Sequence, residues 1–173
     1  MSKPILRRAF NRVFHFMART CPGSTTLRPM LHRWRGVNIG RDVLIGDGVY
    51  LDNEWPECIE IHDNVQISIR AIVIAHTRGP GKVIIEKEAF VGPNSVLVCG
   101  AGRVLRIGAG SVIGAGSVIT KSVPPRIYVA PAPVKALARV KVPLAVAENM
   151  ESFWAGLEPL ESRPPTPPPR EQD

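Results

Sequence analysis

The sequence predicts an all-β protein, a parallel β-helix of about four three-sided coils, and three observations carry that prediction. An aliphatic residue recurs at every sixth position through most of the stretch from Ile39 to Ile119. Glycine follows several of these anchors, at Gly40, Gly46, Gly92, Gly108 and Gly114. Two consecutive units, Ile107-Gly-Ala-Gly-Ser-Val and Ile113-Gly-Ala-Gly-Ser-Val, carry the same six letters. A period of six is too long for a helix stripe or a strand alternation. It signals short units stacked on one continuous core.

Before the repeat, residues 1–36 form a basic lead-in. They hold Lys3, Arg7, Arg8, Arg12, Arg19, Arg28, Arg33 and Arg35 and no acidic residue, whereas the whole chain of 173 residues has a net charge of +7. Ile5, Leu6, Ala9, Phe10, Val13, Phe14 and Met17 recur at helical spacing among the arginines, which predicts an amphipathic helix to about Thr20, ended by Pro22-Gly23-Ser24. Two roles are open to its apolar stripe. It packs on the β-helix or a neighbouring subunit, or it rests on an anionic membrane surface. Arg12 and His15 interrupt the apolar run, so the segment reads neither as a secretory signal nor as the roughly 20 apolar residues needed to span a bilayer.

The coils occupy residues 37–140. Their anchors are Ile39, Ile45 and Leu51, then Ile61, Ile67 and Val73, then Ile85, Val91 and Leu97, and last Ile107, Ile113 and Ile119. Four places after an anchor stand Val43, Val49, Val65, Ala71, Ala89, Ser95, Ser111, Ser117 and Val123, all small enough for a tight corner. Breaks in the register predict short insertions near residues 57–60, 79–84 and 103–106. After the coils, residues 141–160 read as a short helix around Phe153 and Trp154. Residues 161–173, with Pro164-Pro-Thr-Pro-Pro-Pro169, read as a disordered or polyproline tail.

Composition narrows the function classes. Cys21, Cys58 and Cys99 are scattered and show no metal spacing, so they are expected as free thiols in a reducing cytoplasm. The basic N-terminus follows a helix and lacks an aromatic stacking surface, which argues against a nucleic-acid partner.

The phrases Ile113-Gly-Ala-Gly-Ser-Val-Ile-Thr-Lys-Ser-Val-Pro-Pro125 and Gly36-Val-Asn-Ile-Gly-Arg-Asp-Val43 resemble the hexapeptide-repeat acyltransferases. The resemblance covers about residues 30–140 and is strongest to the O-acetyltransferases of sugars and polysaccharide precursors. It implies a left-handed coil, acetyl-CoA as donor, a sugar or lipid-linked saccharide as acceptor, and a homotrimer whose sites are shared between subunits. Beside the resemblance, the scattered cysteines predict a cytoplasmic protein, and the basic amphipathic helix offers residues 1–20 as a peripheral contact at the inner face of the membrane.

By the same resemblance, His76 stands where the family has its general base, at the opening of the insertion Thr77-Arg-Gly-Pro-Gly81. An imidazole with an ordinary pKa near ~6.5 suits proton transfer at neutral pH. Asp52 is the candidate orienting or acceptor-binding group, with Asn53 and Glu54 beside it. Ala115, Thr120 and Lys121 fall at coenzyme-binding places, and Lys135 and Arg139 follow as candidate phosphate partners. Val129-Ala-Pro-Ala-Pro-Val-Lys135 departs from the family's Val-Ala-Gly-Asn-Pro-Ala-Lys, because Pro131 removes an N–H and Ala132 a side-chain amide. No metal is expected in the chemistry. The alternatives are a noncatalytic β-helix subunit and, with only His62 and His76 in the coils, a zinc enzyme like the γ-carbonic anhydrases.

Overall fold

The computed structural model describes residues 5–132, 138–143, 146 and 148–159. Residues 5–131 lie in one compact unit and the residues from 132 onward in a second.

The first unit is a three-sided β-solenoid. One face stacks β1 (Asn38–Ile39), β4 (Ile59–Ile61), β7 (Lys82–Ile85) and β10 (Val104–Ile107). The second stacks β2 (Leu44–Ile45), β5 (Gln66–Ile67), β8 (Phe90–Val91), β11 (Val112–Ile113) and β13 (Tyr128–Val129). The third stacks β3 (Tyr50–Leu51), β6 (Ile72–Ile74), β9 (Val96–Val98) and β12 (Val118–Ile119). All pairings within these faces are parallel, and Ile39, Ile61, Ile85 and Ile107 stand in one column. A strand of two to four residues cannot bury a surface alone, so each coil depends on the coil above and below it.

The anchors build the core. Ile45, Leu51, Ile67, Val73, Ile85, Val91, Leu97, Ile107 and Ile113 are fully buried, and only the last anchor, Ile119, is left partly covered. The small residues four places on also turn inward, with Val65, Ala71, Ser95 and Ser111 fully buried. The same step explains the glycines after the anchors: a β-carbon on Gly108 would lie 2.3 Å from the nitrogen of Pro125 in the next turn. Three places after an anchor, the backbone enters the left-handed region at Asp42, Gly48, Asn64, Arg70, Glu88, Asn94, Gly110 and Gly116, and these residues form the corners.

The structure relocates the expected insertions. Residues 59–61, 82–85 and 104–107 are strands, and the extra length lies in the corners before them. A coil can lengthen only where the ladder is not paired. After Ile119 the register tightens instead, so Val123 bridges to Ile107 and starts a partial fifth turn that ends at β13.

The N-terminal segment is two helices, α1 (Ile5–Thr20) and α2 (Leu27–Arg35), of which the second was not expected. Gly36 ends α2 in the left-handed conformation, its N–H donating to the carbonyls of Arg33 and His32. The helices pack on the first coil in an unexpected way. Asn11, His15 and Ala18 are the buried residues of α1, whereas Ile5, Leu6, Val13 and Phe16 are more than half exposed. Packing of the apolar stripe on this chain's own β-helix is therefore overturned. The buried face of α1 is polar, with Asn11 Oδ1 and both His15 ring nitrogens making no hydrogen bond among the described residues, and it is α2 that meets the carbonyls of the first coil. Arg28 donates to the carbonyls of Cys21 and Ile45 and pairs with Asp47, and Arg33 donates to the carbonyls of Ile39 and Gly40.

In the second unit, α3 is only Met150–Ala155, capped by the Asn149 side chain, which accepts from the Ser152 N–H. β14 (Ala138–Val140) and β15 (Leu157–Pro159) pair antiparallel around it. The expected helix across 141–160 is thus shorter and shares its span with a strand, and the expected tail at 161–173 lies outside the described residues.

Candidate active site

The third face brings the two candidate catalytic residues, Asp52 and His76, together. β6 runs up to Ala75, and at His76 the chain leaves the coil into a short hairpin that closes where the Gly81 N–H donates to the carbonyl of Ala75. The next coil supports this hairpin, with Ala101 and Gly102 donating their N–H groups to the carbonyls of Thr77 and Pro80. The insertion expected near residues 103–106 is thus a stacked corner at Gly100–Arg103 followed by β10.

Asp52 lies one coil below, fully buried. Its Oδ1 accepts the N–H groups of Glu54 at 2.9 Å and Trp55 at 3.0 Å. Its Oδ2 accepts the Ala75 N–H at 2.9 Å and lies 2.5 Å from His76 Nδ1. A carboxylate has no hydrogen to give, so a neutral imidazole in this position carries its proton on Nδ1 and leaves the Nε2 lone pair free. The His76 side chain is 35% exposed, and it lines a cleft of about 760 Å³ with Arg19, Tyr50, Arg70, Ile72, Ile74, Thr77 and Asn94. This arrangement can take a proton from a hydroxyl held in the cleft. Burial leaves Asp52 no surface toward the cleft, and its carboxylate reaches the cleft's edge only through His76. Asn53 and Glu54 face elsewhere: Asn53 Oδ1 is 3.5 Å from Arg35 and the Glu54 carboxylate is 3.7 Å from Arg8.

A buried polar layer beneath α1 and α2 fixes the corner that carries Asp52. Arg35 is fully buried and donates from Nη2 to the carbonyls of Leu51 at 3.2 Å and Asp52 at 2.8 Å, while Nη1 meets His32 Nδ1 at 2.8 Å. Burial lowers the Arg35 guanidinium to about 10. Burial, and then the positive charges of Arg35 and Arg19, push the His15 imidazole down to about 4. His32 is driven well below its ordinary value, again chiefly by burial. His15 packs edge-on to Tyr50, whose ring also faces the guanidinium of Arg19.

The expected coenzyme residues are not gathered at His76. Thr120 and Lys121 line a separate cavity of about 120 Å³ with Cys99, Arg103 and Ser122. Ala115 is exposed on the fourth coil. Arg139 is exposed in the second unit, and Lys135 lies outside the described residues. Cys21, Cys58 and Cys99 are free thiols. Among the described residues, no three metal-ligating side chains come together and no helix is long and apolar enough to cross a membrane.

Sequence reasoning missed the cleft's other walls, above all Arg19 and Arg70. A signal was present for Arg70, which is one hexad before His76 and in the corner slot that Gly48 fills on the coil below. Arg19 could not be found that way, because only the docking of α1 brings it to the third face.

A family model for the hexapeptide repeat of succinyl-transferase matches residues 82–121. The chain is 26% identical to the protein YvoF of Bacillus subtilis, provisionally named an acetyltransferase, over 137 residues, 76% of this chain and 77% of that one. It is 56% identical over 43 residues to the bifunctional protein GlmU of Nitratidesulfovibrio vulgaris, and this match covers 25% of the chain and 9% of GlmU. With the 2,3,4,5-tetrahydropyridine-2,6-dicarboxylate N-acetyltransferase of Clostridium perfringens it shares 36% identity over 78 residues, 44% of the chain and 31% of that enzyme. These matches support an enzyme of the hexapeptide-repeat acetyltransferases.

Proposed function

We propose that the protein is an O-acetyltransferase that moves the acetyl group of acetyl-CoA to a hydroxyl of a sugar or a polysaccharide precursor. The observation that carries this reading is the Asp52–His76 pair, in which a buried carboxylate holds Nδ1 and leaves Nε2 to an open cleft. Nε2 takes the proton of the acceptor hydroxyl as its oxygen attacks the thioester carbonyl. The carbon–sulfur bond then breaks, and the departing thiolate receives the proton from His76. Each step is ordinary general acid–base catalysis, worth ~10²–10⁴ in rate.

The coenzyme sites fit this reading only with a second copy of the chain. The cavity at Thr120 and Lys121 is about 120 Å³, too small for a pantetheine arm, and His76 lies in a different cleft. A homotrimer in which the late coils of one subunit close over His76 of the next supplies the missing wall. Lys121 would then answer a phosphate of CoA. The enzyme acts in the cytoplasm, held peripherally at the inner face of the membrane by the outward apolar side of α1, a placement supported by the exposure of Leu6 and Phe16 beside Arg8 and Arg12.

The test is thiol release from acetyl-CoA with a panel of sugars, nucleotide sugars and lipid-linked oligosaccharides. His76→Ala is expected to lower kcat by ~10²–10⁴ while leaving the fold and coenzyme affinity intact. Activity within threefold of the parent would overturn the assignment of the base. A protein that binds no coenzyme at all would be the noncatalytic solenoid instead.

A further inference from the structure

The cleft in front of His76 is positively charged, and among the described residues no carboxylate pairs with that charge, although the Tyr50 ring faces the Arg19 guanidinium. Arg19, from the last turn of α1, and Arg70, from the second coil, both line it and both are exposed. Among the described residues, no carboxylate lies within ion-pair distance of either guanidinium, and neither side chain makes a hydrogen bond. The nearby acids are otherwise engaged: Asp47 pairs with Arg28, and Asp52 is buried behind His76. Arg41 pairs with Asp63 and Arg106 with Glu86, while Arg78, Arg103 and Arg126 are exposed elsewhere on the solenoid and, among the described residues, pair with no carboxylate. Arg19 and Arg70 differ from these in lining one cleft with His76.

Gly48 fixes the two arginines in register. Its N–H donates to the carbonyl of Arg19 at 3.0 Å, and a β-carbon placed on it would stand 3.3 Å from Cγ of Arg70. Arg70 is held at its corner with φ of 56°. Between the arginines and His76 run the Tyr50 ring and the side chains of Ile72 and Ile74, a flat apolar floor of the kind that accepts the face of a sugar ring.

We propose that Arg19 and Arg70 form an anion subsite, and that the acceptor is an acidic sugar whose phosphate or carboxylate binds there while a hydroxyl reaches Nε2 of His76. The proposal rests on the reading of His76 as the base, and it adds the acceptor's charge. Guanidinium groups suit phosphate and carboxylate alike, through paired N–H donors in one plane.

The test is equilibrium binding to the full-length His76→Ala protein without acetyl-CoA, so that it does not depend on turnover. Glucose 1-phosphate, glucuronate and glucose serve as probes. At least one acidic probe is expected to bind tenfold or more tightly than glucose, and the better of the two identifies phosphate or carboxylate as the preferred group. Arg19→Gln and Arg70→Gln should each weaken that binding roughly tenfold and leave glucose unaffected. Added salt should weaken the acidic probe as well. Equal binding of all three probes, no binding of either acidic one, or arginine variants that bind as the parent does would each overturn the proposal. Displacement of the acidic probe by saturating acetyl-CoA would also overturn it, because the arginines would then serve the coenzyme's phosphates.

Discussion

Replacing Asp52 with asparagine keeps the shape of the side chain and removes the condition that sets the tautomer of His76. The carboxylate faces four donors: the N–H groups of Glu54 and Trp55 on one oxygen, and the Ala75 N–H with His76 Nδ1 on the other. An amide has one accepting oxygen. If that oxygen stays toward Ala75 and His76, the amide NH₂ meets the N–H groups of Glu54 and Trp55, and two buried donors are stranded. If it turns toward Glu54 and Trp55, only the Ala75 N–H is stranded, because the NH₂ can donate to His76 Nδ1 once that atom has lost its hydrogen. Each stranded buried donor costs about 1–3 kcal/mol, so the second orientation wins by about that amount. Its consequence is an imidazole protonated on Nε2, which cannot take a proton from the acceptor. The expected result is a loss of ~10²–10⁴ in kcat with KM little changed and a fall in stability of about 1–3 kcal/mol. Nitrogen NMR of the imidazole at neutral pH should show the proton moving from Nδ1 in the parent to Nε2 in the variant, a shift that general loosening would not produce. Activity within threefold of the parent, or a parent imidazole already protonated on Nε2, would refute the reasoning.

Acid should loosen the N-terminal cap. His15 has a folded pKa of about 4 against 6.5 when free, so the unfolded chain binds its proton first, and the stability present above pH 6.5 falls as the pH drops toward 4. The loss attached to His15 is about 3 kcal/mol, His32 adds to it in the same direction, and His15→Leu should flatten the pH dependence of Tm in that window. Sedimentation should give a trimer, and a stable monomer with full activity would contradict a site closed by the neighbouring subunit. Leu6→Glu and Phe16→Glu alter side chains that face outward, so they should abolish binding to phosphatidylserine vesicles without lowering Tm. A parent protein that ignores such vesicles at low salt would end the membrane reading. Arg35→Leu removes the clamp on the Leu51 and Asp52 carbonyls, and it should reduce kcat together with stability.

The hexad was enough to determine the solenoid, because a six-residue period satisfies the backbone and the core only when coils stack. The anchor Ile67 and the small Ala71 were both legible as members of one repeat, and both are fully buried. His76 could be singled out because the family resemblance places a base there, while the register break marked only that the chain leaves the coil after it. Other features depended on the docking of elements that share no period. The α1 apolar stripe turns outward while Asn11 and His15 are buried, an orientation set by how α1 docks and not by its own spacing. Asp52 could be named from sequence, but its role could not. Twenty-four residues separate it from His76, and only the pairing of β3 with β6 brings its carboxylate under the imidazole. Arg19 lies farther still in sequence, and it reaches the cleft because a buried His15, four residues back along the helix, packs against Tyr50. Short-range spacing therefore set the coil, and side chains distant in sequence that meet across stacked turns set the chemistry.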